Sequence, residues 1–198
     1  MQPTDWSAHW KTMGPNLLYF RIYRRLLRGI KLGRPTILEL GAGTGMNTVL
    51  LLESYGGSAT LVDNNHGAKK LFGARKGNLK ADYREADVWK FRPKKMFDMV
   101  HSEGLVEHFH GRKRQEIFDL HAKWLKKDGI AIILAPVRCT AYSLLRRYLA
   151  MRGRWYYTDE RPFTVRQLAE KATKAGLEVL RTEKPFWAHE GGIICRKV

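Results

Sequence analysis

"ILELGAGTGMN", Ile37–Asn47, is the stretch that decides the fold of this 198-residue chain. An apolar strand pattern, "PTILEL" (Pro35–Leu40), runs into glycines at 41, 43 and 45. A helical pattern, "GMNTVLLLESYGG", follows and stops at Gly56 and Gly57. Glycines allow positive φ and let a ligand lie against bare backbone. A dinucleotide turn spaces them G-x-G-x-x-G, whereas Met46 stands where the last glycine should be. Glu39 also sits inside the strand, two residues before the turn. A carboxylate there repels a pyrophosphate and attracts the cationic part of an amino acid.

Outward from this turn, short β-branched runs alternate with helical patterns, as in an α/β fold with a parallel sheet. "SATLVD" is a second strand ending at Asp63, followed by a weaker helix interrupted by Gly67 and Gly73. "ADYREADV" holds a short third strand, and Met96–Ser102 ("MFDMVHS") is the fourth. In "RKRQEIFDLHAKWLKKDG" the residues Ile117, Leu120, His121, Trp124 and Leu125 share one face of a helix that Gly129 should end. "IAIILA" (Ile130–Ala135) is a buried fifth strand, and Thr164 with Gln167 opens another helix at capping-box spacing. "LEVLRTE" and "GGIICRKV" are too close for a helical crossover and should form an antiparallel hairpin. The expectation is one α/β domain over 1–198: a seven-stranded, mostly parallel sheet with helices on both faces and an antiparallel C-terminal hairpin.

Composition narrows the partners. Lys and Arg number 36 against 19 Asp and Glu, a formal charge of +17, which favours an anionic partner or substrate. Cys139 and Cys195 form no disulfide or zinc pattern. No signal-peptide pattern opens the chain, and no apolar run reaches the ~18 residues that span a bilayer, so a cytoplasmic location is expected. Glu107, His108 and His110 match no metal signature, and no metal is expected.

The ordered set of "LELGAGTG", Asp63 in "LVDNN", Asp87–Val88 in "EADVWKF" and "FDMVHSEGLVEHF" (Phe97–Phe109) resembles class I S-adenosylmethionine-dependent methyltransferases. It is similar in particular to the broad type 11 group, from about Pro35 to Val198. The resemblance implies a Rossmann-like fold that binds S-adenosylmethionine and releases S-adenosylhomocysteine. It implies cofactor contacts at Glu39, Gly41, Ala42, Gly43, Gly45, Asp63, Asn64, Asp87, Val88, His101 and Ser102. Asp63 would hold the ribose hydroxyls, and Asp87 with Val88 would read the adenine. A short N-terminal helix would bring Trp10, with Trp6 four residues before it, over the cofactor; packing against the first long helix is the competing role for both tryptophans.

Methyl transfer from a sulfonium needs an acceptor held ~3–3.5 Å from the methyl carbon, and for O or N acceptors a group to take a proton. His101, Glu103 and His108, at and after the fourth strand, are the candidate catalytic residues. No "DPPY" or "NPPF" follows that strand, against methylation of an adenine or glutamine amino group. No cysteine is there for covalent attack on a pyrimidine.

Two basic, aromatic segments lie outside these motifs. Residues 1–34 are expected to form an N-terminal cap whose helix, Asn16–Leu32, puts Tyr19, Ile22, Tyr23, Leu26, Leu27 and Ile30 on one broad face and stacks Arg21, Arg24, Arg25 and Arg28 on the other. Residues 136–163 make a long connection read as a substrate lid, with Arg138, Arg146, Arg147, Tyr148, Arg154, Trp155 and Tyr156 as substrate contacts. These segments fit an RNA, a lipid at a membrane surface, or a small anionic or aromatic metabolite. A non-catalytic cofactor-binding module or subunit is the alternative of another class.

Overall fold

In a computed structural model of the chain, residues 17–155, 157, 159–184 and 189–198 are described. Trp6, Trp10 and Tyr156, expected at the site, lie outside them. Seven strands form one sheet in the order β3-β2-β1-β4-β5-β7-β6. They are β1 (Thr36–Leu40), β2 (Ser58–Asp63), β3 (Ala81–Glu85), β4 (Phe97–Glu103), β5 (Leu125–Pro136), β6 (Leu177–Glu183) and β7 (Glu190–Lys197). The first five are parallel; β7 slots antiparallel between β5 and β6. The described helices are α1 (Leu17–Leu26), α2 (Met46–Tyr55), α3 (His66–Arg75), α4 (Lys113–Lys123), α5 (Thr140–Met151) and α6 (Val165–Lys174).

The two-residue period of a strand divides the apolar residues between two cores, one per face. Ile37, Met99, Ile130, Ile132, Leu134 and Ile194 pack with α1, α2 and α3. Leu38, Leu40, Val100, Ala131, Ile133 and Ile193 pack with α4 and α6. Helix α6 has the expected capping box between Thr164 and Gln167. Helix α1 buries Ile22, Tyr23, Leu26 and Leu27 and leaves Arg21, Arg24, Arg25 and Arg28 exposed, the division its sequence requires. Its last carbonyls are capped from another element. Arg181 Nη1 on β6 donates to the oxygens of Arg25, Leu26 and Arg28 at 3.0, 2.6 and 3.0 Å.

Helix α1 ends at Leu26, short of the expected Leu32, and two further boundaries differ from the sequence expectation. Helix α4 ends at Lys123, not at Gly129, because Leu125 already pairs with Phe97. Pairing resumes at Met99 with Ile130, so β5 carries three extra residues, with Asp128 at φ 60°. Lys126 on that excursion reaches Asp98 Oδ1 at 2.8 Å, while Asp98 Oδ2 accepts from Thr36 N and Oγ1 at 2.8 and 2.6 Å. Burial pushes the Asp98 carboxyl up, but the Lys126 and Thr36 donors prevail and hold it at about 2. Asp98 thus stitches β1, β4 and β5 together at the end remote from the glycine turn. The second difference is within 136–163, where twelve residues of the connection are helix α5.

Candidate active site

At the carboxyl ends of β1, β2 and β4 a single cavity of about 690 Å³ opens, where open α/β sheets bind ligands. One half is built by the glycine turn and the ends of β2 and β3. Gly41 has φ 64°, and a Cβ there would stand 2.6 Å from Leu105 Cδ1, so only bare backbone lets the turn close on the segment after β4. Asp63 is fixed at the end of β2, its Oδ2 accepting from Gly43 N at 2.9 Å and its Oδ1 from Asn65 N at 2.8 Å. Burial raises the Asp63 carboxyl, and these backbone donors partly offset it. Glu39, Gly41, Ala42, Asp63, Asn64, Asp87 and Val88 all line this half. Gly43 and Gly45 do not. The Gly43 carbonyl accepts from the Tyr83 hydroxyl at 2.8 Å, and Gly45, at φ 67°, is packed against Leu61 and Phe72.

Glu39 is 3% exposed, and its Oε2 accepts from Thr48 Oγ1 at 2.7 Å. Burial lifts its carboxyl to about 8, against the Thr48 bond and with help from Glu103 and Asp63. A buried carboxyl beside a backbone cradle suits the positive end of an amino acid, which would restore its charge. Together with an acidic strand end at Asp63 that accepts hydroxyl donors, these residues fit S-adenosylmethionine.

His101 and Ser102 lie behind the site instead of in it. His101 pairs in register with Glu39, on the face covered by α1 and α2. Thr48 donates to Glu39, so its oxygen accepts from His101 Nε2 at 3.0 Å, and His101 Nδ1 accepts from the Tyr23 hydroxyl at 3.0 Å. Both ring nitrogens are spent inside the protein. Burial, with His121 nearby, lowers the ring to about 3, so it stays neutral. Ser102 faces the other core, its Oγ 2.9 Å from His121 Nε2. Neither residue touches the cavity. Glu103, the next on β4, does, and it accepts from Asn47 Nδ2.

The second half of the cavity is aromatic and acidic. Helix α5 contributes Tyr142, Leu145 and Leu149, and the segment after it contributes Trp155, Tyr157, Asp159 and Glu160. His189 and Glu190 at the start of β7 close the side, and Glu107 and His108 sit on the 3-10 turn after β4. The Tyr142 ring stacks on His189 with centroids 4.9 Å apart and lies 5.9 Å from Trp155. The Tyr142 hydroxyl donates to Glu160. His108 Nδ1 is 3.1 Å from Asp159, but burial outweighs that partner and lowers the ring.

The arginines expected to bind substrate do not line this cavity. Arg138, Arg146 and Arg147 border a separate cleft on the outer side of α5, and Tyr148 and Arg154 are exposed. Arg146 lies 5.3 Å over the Trp155 ring and donates to the Glu160 carbonyl at 3.0 Å. Of that set, Trp155 alone among the described residues reaches the cavity. Eight of the described lining residues carry carboxyls; Lys113 is the one lysine or arginine. The lining is therefore acidic, while the net positive charge of the chain lies outside it. The described residues show no cluster fit to hold a metal ion.

Residues 37–129 match the family described as a methyltransferase domain. Phosphoethanolamine N-methyltransferase of Plasmodium falciparum is 26% identical over 113 residues, which is 56% of this chain and 42% of that protein. The chain therefore spans less than half the length of that relative. Among solved structures, a chain of the Haloferax volcanii complex between the Trm112 methyltransferase activator and a methyltransferase superposes with TM-score 0.77. It is 13% identical, with 99% of each chain covered. Burkholderia thailandensis 1,6-didemethyltoxoflavin-N1-methyltransferase, solved with 1,6-didemethyltoxoflavin and S-adenosylhomocysteine, superposes at 0.70 with 18% identity. There 90% of this chain and 77% of that one are covered. Residues 37–129 thus match a methyltransferase domain, and the chain as a whole shares the fold of these solved methyltransferase structures.

Proposed function

We propose that the protein is an enzyme that methylates a small molecule held in the aromatic half of the cavity. The observation that carries this reading is continuity. One cavity runs from Glu39, Asp63 and Asp87 to Tyr142, Trp155 and Glu190, so cofactor and acceptor would meet where Glu103 stands between them. When bound, S-adenosylmethionine supplies an activated methyl group whose bond to sulfur breaks with its electron pair left on sulfur. The protein's own part is positioning and exclusion of water. Asp63 and the Gly41 turn orient the cofactor half, while the Tyr142, Leu145, Leu149 and Trp155 wall shields the acceptor half. Glu103 and His108 are the lining groups placed to take a proton. Burial raises Glu103 to about 7, against the Asn47 donor, so it can both hold and release one near neutral pH.

An acid-lined acceptor half disfavours an RNA phosphate backbone. Transfer of isotopically labelled methyl from S-adenosylmethionine into fractionated cell extract tests the proposal. Label is expected in the small-molecule fraction. Label in RNA or lipid would overturn the small-molecule acceptor, and label in no fraction would return the chain to a binding role.

A further inference from the structure

Four segments that are distant in sequence bring carboxyls to the acceptor half: Glu103 ends β4, Glu107 sits on the 3-10 turn, Glu160 follows α5 and Glu190 begins β7. Glu107 and Glu190 are 1% and 5% exposed, yet each keeps its Oε2 buried without a hydrogen-bond partner. A buried acceptor left unpaired costs stability, and proteins rarely leave two in one cavity without a use. Lys113, the one lining lysine or arginine among the described residues, lies over the Trp89 ring at 5.7 Å. Trp89 follows Asp87 and Val88 on the cofactor side, so Lys113 does not serve these glutamates. Tyr142 and Trp155, in edge-on contact at 5.9 Å, line the same half of the cavity. Carboxylates converging beside aromatic rings are the chemistry that selects an ammonium group, through charge-assisted hydrogen bonds and cation–π attraction.

We propose that the acceptor is an amine that enters as its ammonium ion and is held by Glu107 and Glu190 beside Tyr142 and Trp155. This rests on the methyltransferase reading and names its substrate class. Burial, with Glu103 and Glu160 nearby, holds both carboxyls well above their usual range even though Arg114 draws Glu107 down, so a further positive charge inside the cavity is what lets them ionise. For a primary or secondary amine the nitrogen first gives one proton to a cavity carboxylate. Its freed lone pair then forms the new bond to the methyl carbon, the carbon–sulfur pair stays on sulfur, and the methylated product leaves as an ammonium. The same cage that binds the substrate therefore tolerates the product's charge.

Calorimetry on full-length protein saturated with S-adenosylhomocysteine tests the cage with choline and its neutral isostere, 3,3-dimethylbutan-1-ol. Choline is expected to bind at least about tenfold more tightly than the alcohol, and that preference should vanish in Glu190→Gln and in Glu107→Gln. Both variants should keep the wild-type affinity for S-adenosylhomocysteine, which shows that they fold and that the glutamates do not serve the cofactor. Equal binding of the two probes, no saturable choline binding, or a preference that survives both substitutions would overturn the ammonium site. Absence of S-adenosylhomocysteine binding by the wild type would instead overturn the methyltransferase reading, and choline against the alcohol would then be compared on the protein alone.

Discussion

Glu39 lies at the centre of the cofactor half, and the substitution Glu39→Gln separates its charge from its shape. The wild-type carboxyl moves from an ordinary 4.5 to about 8 on folding. A raised pKa means that its stabilising contribution is whole below pH 4.5, is lost as pH rises from there, and is gone above pH 8. Each pH unit inside that window costs about 1.4 kcal/mol. Between pH 6 and pH 9 the wild type should therefore lose about 2–3 kcal/mol through this one group, or roughly 4–12 °C in Tm for a chain of this length. The amide of the Glu39→Gln variant cannot ionise and resembles the protonated carboxyl, so it keeps the Thr48 contact and loses none of this. Thermal and urea unfolding of both proteins without cofactor, at pH 6 and pH 9, measures the difference. Glu103, also raised, and His101, lowered, titrate in both proteins, so their own burial cancels in the subtraction; the repulsion of Glu39 by Glu103 and Asp63 does not cancel and belongs to the wild-type loss. The variant should match the wild type near pH 6 and exceed it at pH 9. Parallel pH profiles would refute the buried, protonated Glu39 on which the cofactor-binding argument rests.

Two further predictions concern the scaffold. Gly45→Ala forces a left-handed backbone (φ 67°) on a residue whose Cβ would stand 2.5 Å from Leu61 and 2.6 Å from Phe72. Conformational strain of about 1–2 kcal/mol plus overpacking of about 1–3 kcal/mol should appear as a lower urea midpoint. An unchanged midpoint would mean that the turn is not built as described. Arg181→Met removes the donor shared by three carbonyls at the end of α1 and should cost about 1–3 kcal/mol in the same assay. Amide exchange should report the loss first as fraying of α1; uniform loss across the sheet would contradict a local cap.

Most of the architecture could be read from local pattern, because each parallel strand is a short apolar run and each turn is marked by glycine. The glycine turn, Glu39, Asp63 and Asp87 were legible for the same reason: strand, turn and next strand are adjacent in sequence. The misplacement of His101 and Ser102 has a definite cause. On β4 only the last residue, Glu103, reaches the site beyond the strand's end; the two before it point into the two cores. The arginines of 138–154 misled through composition. Read as a helix, "TAYSLLRRYLAM" puts Tyr142, Leu145 and Leu149 on one face at i, i+3 and i+7, and that face lines the cavity. Glu190 and His189 could not be found this way, since the sheet brings them in from a strand far along the chain.

The division of charge described above has a kinetic consequence. A chain of formal charge +17 surrounds a cavity lined by carboxyls. A cationic ligand, cofactor or amine, must cross a repulsive outer field before it meets the attraction within. Within about a Debye length of the surface salt screens the first more than the second, because the outer charges are bathed in solvent and the inner ones are not. Capture should therefore speed up as salt is added, the opposite of an enzyme whose surface funnels its substrate inward. Slow entry traded for firm retention is what this distribution of charge encodes.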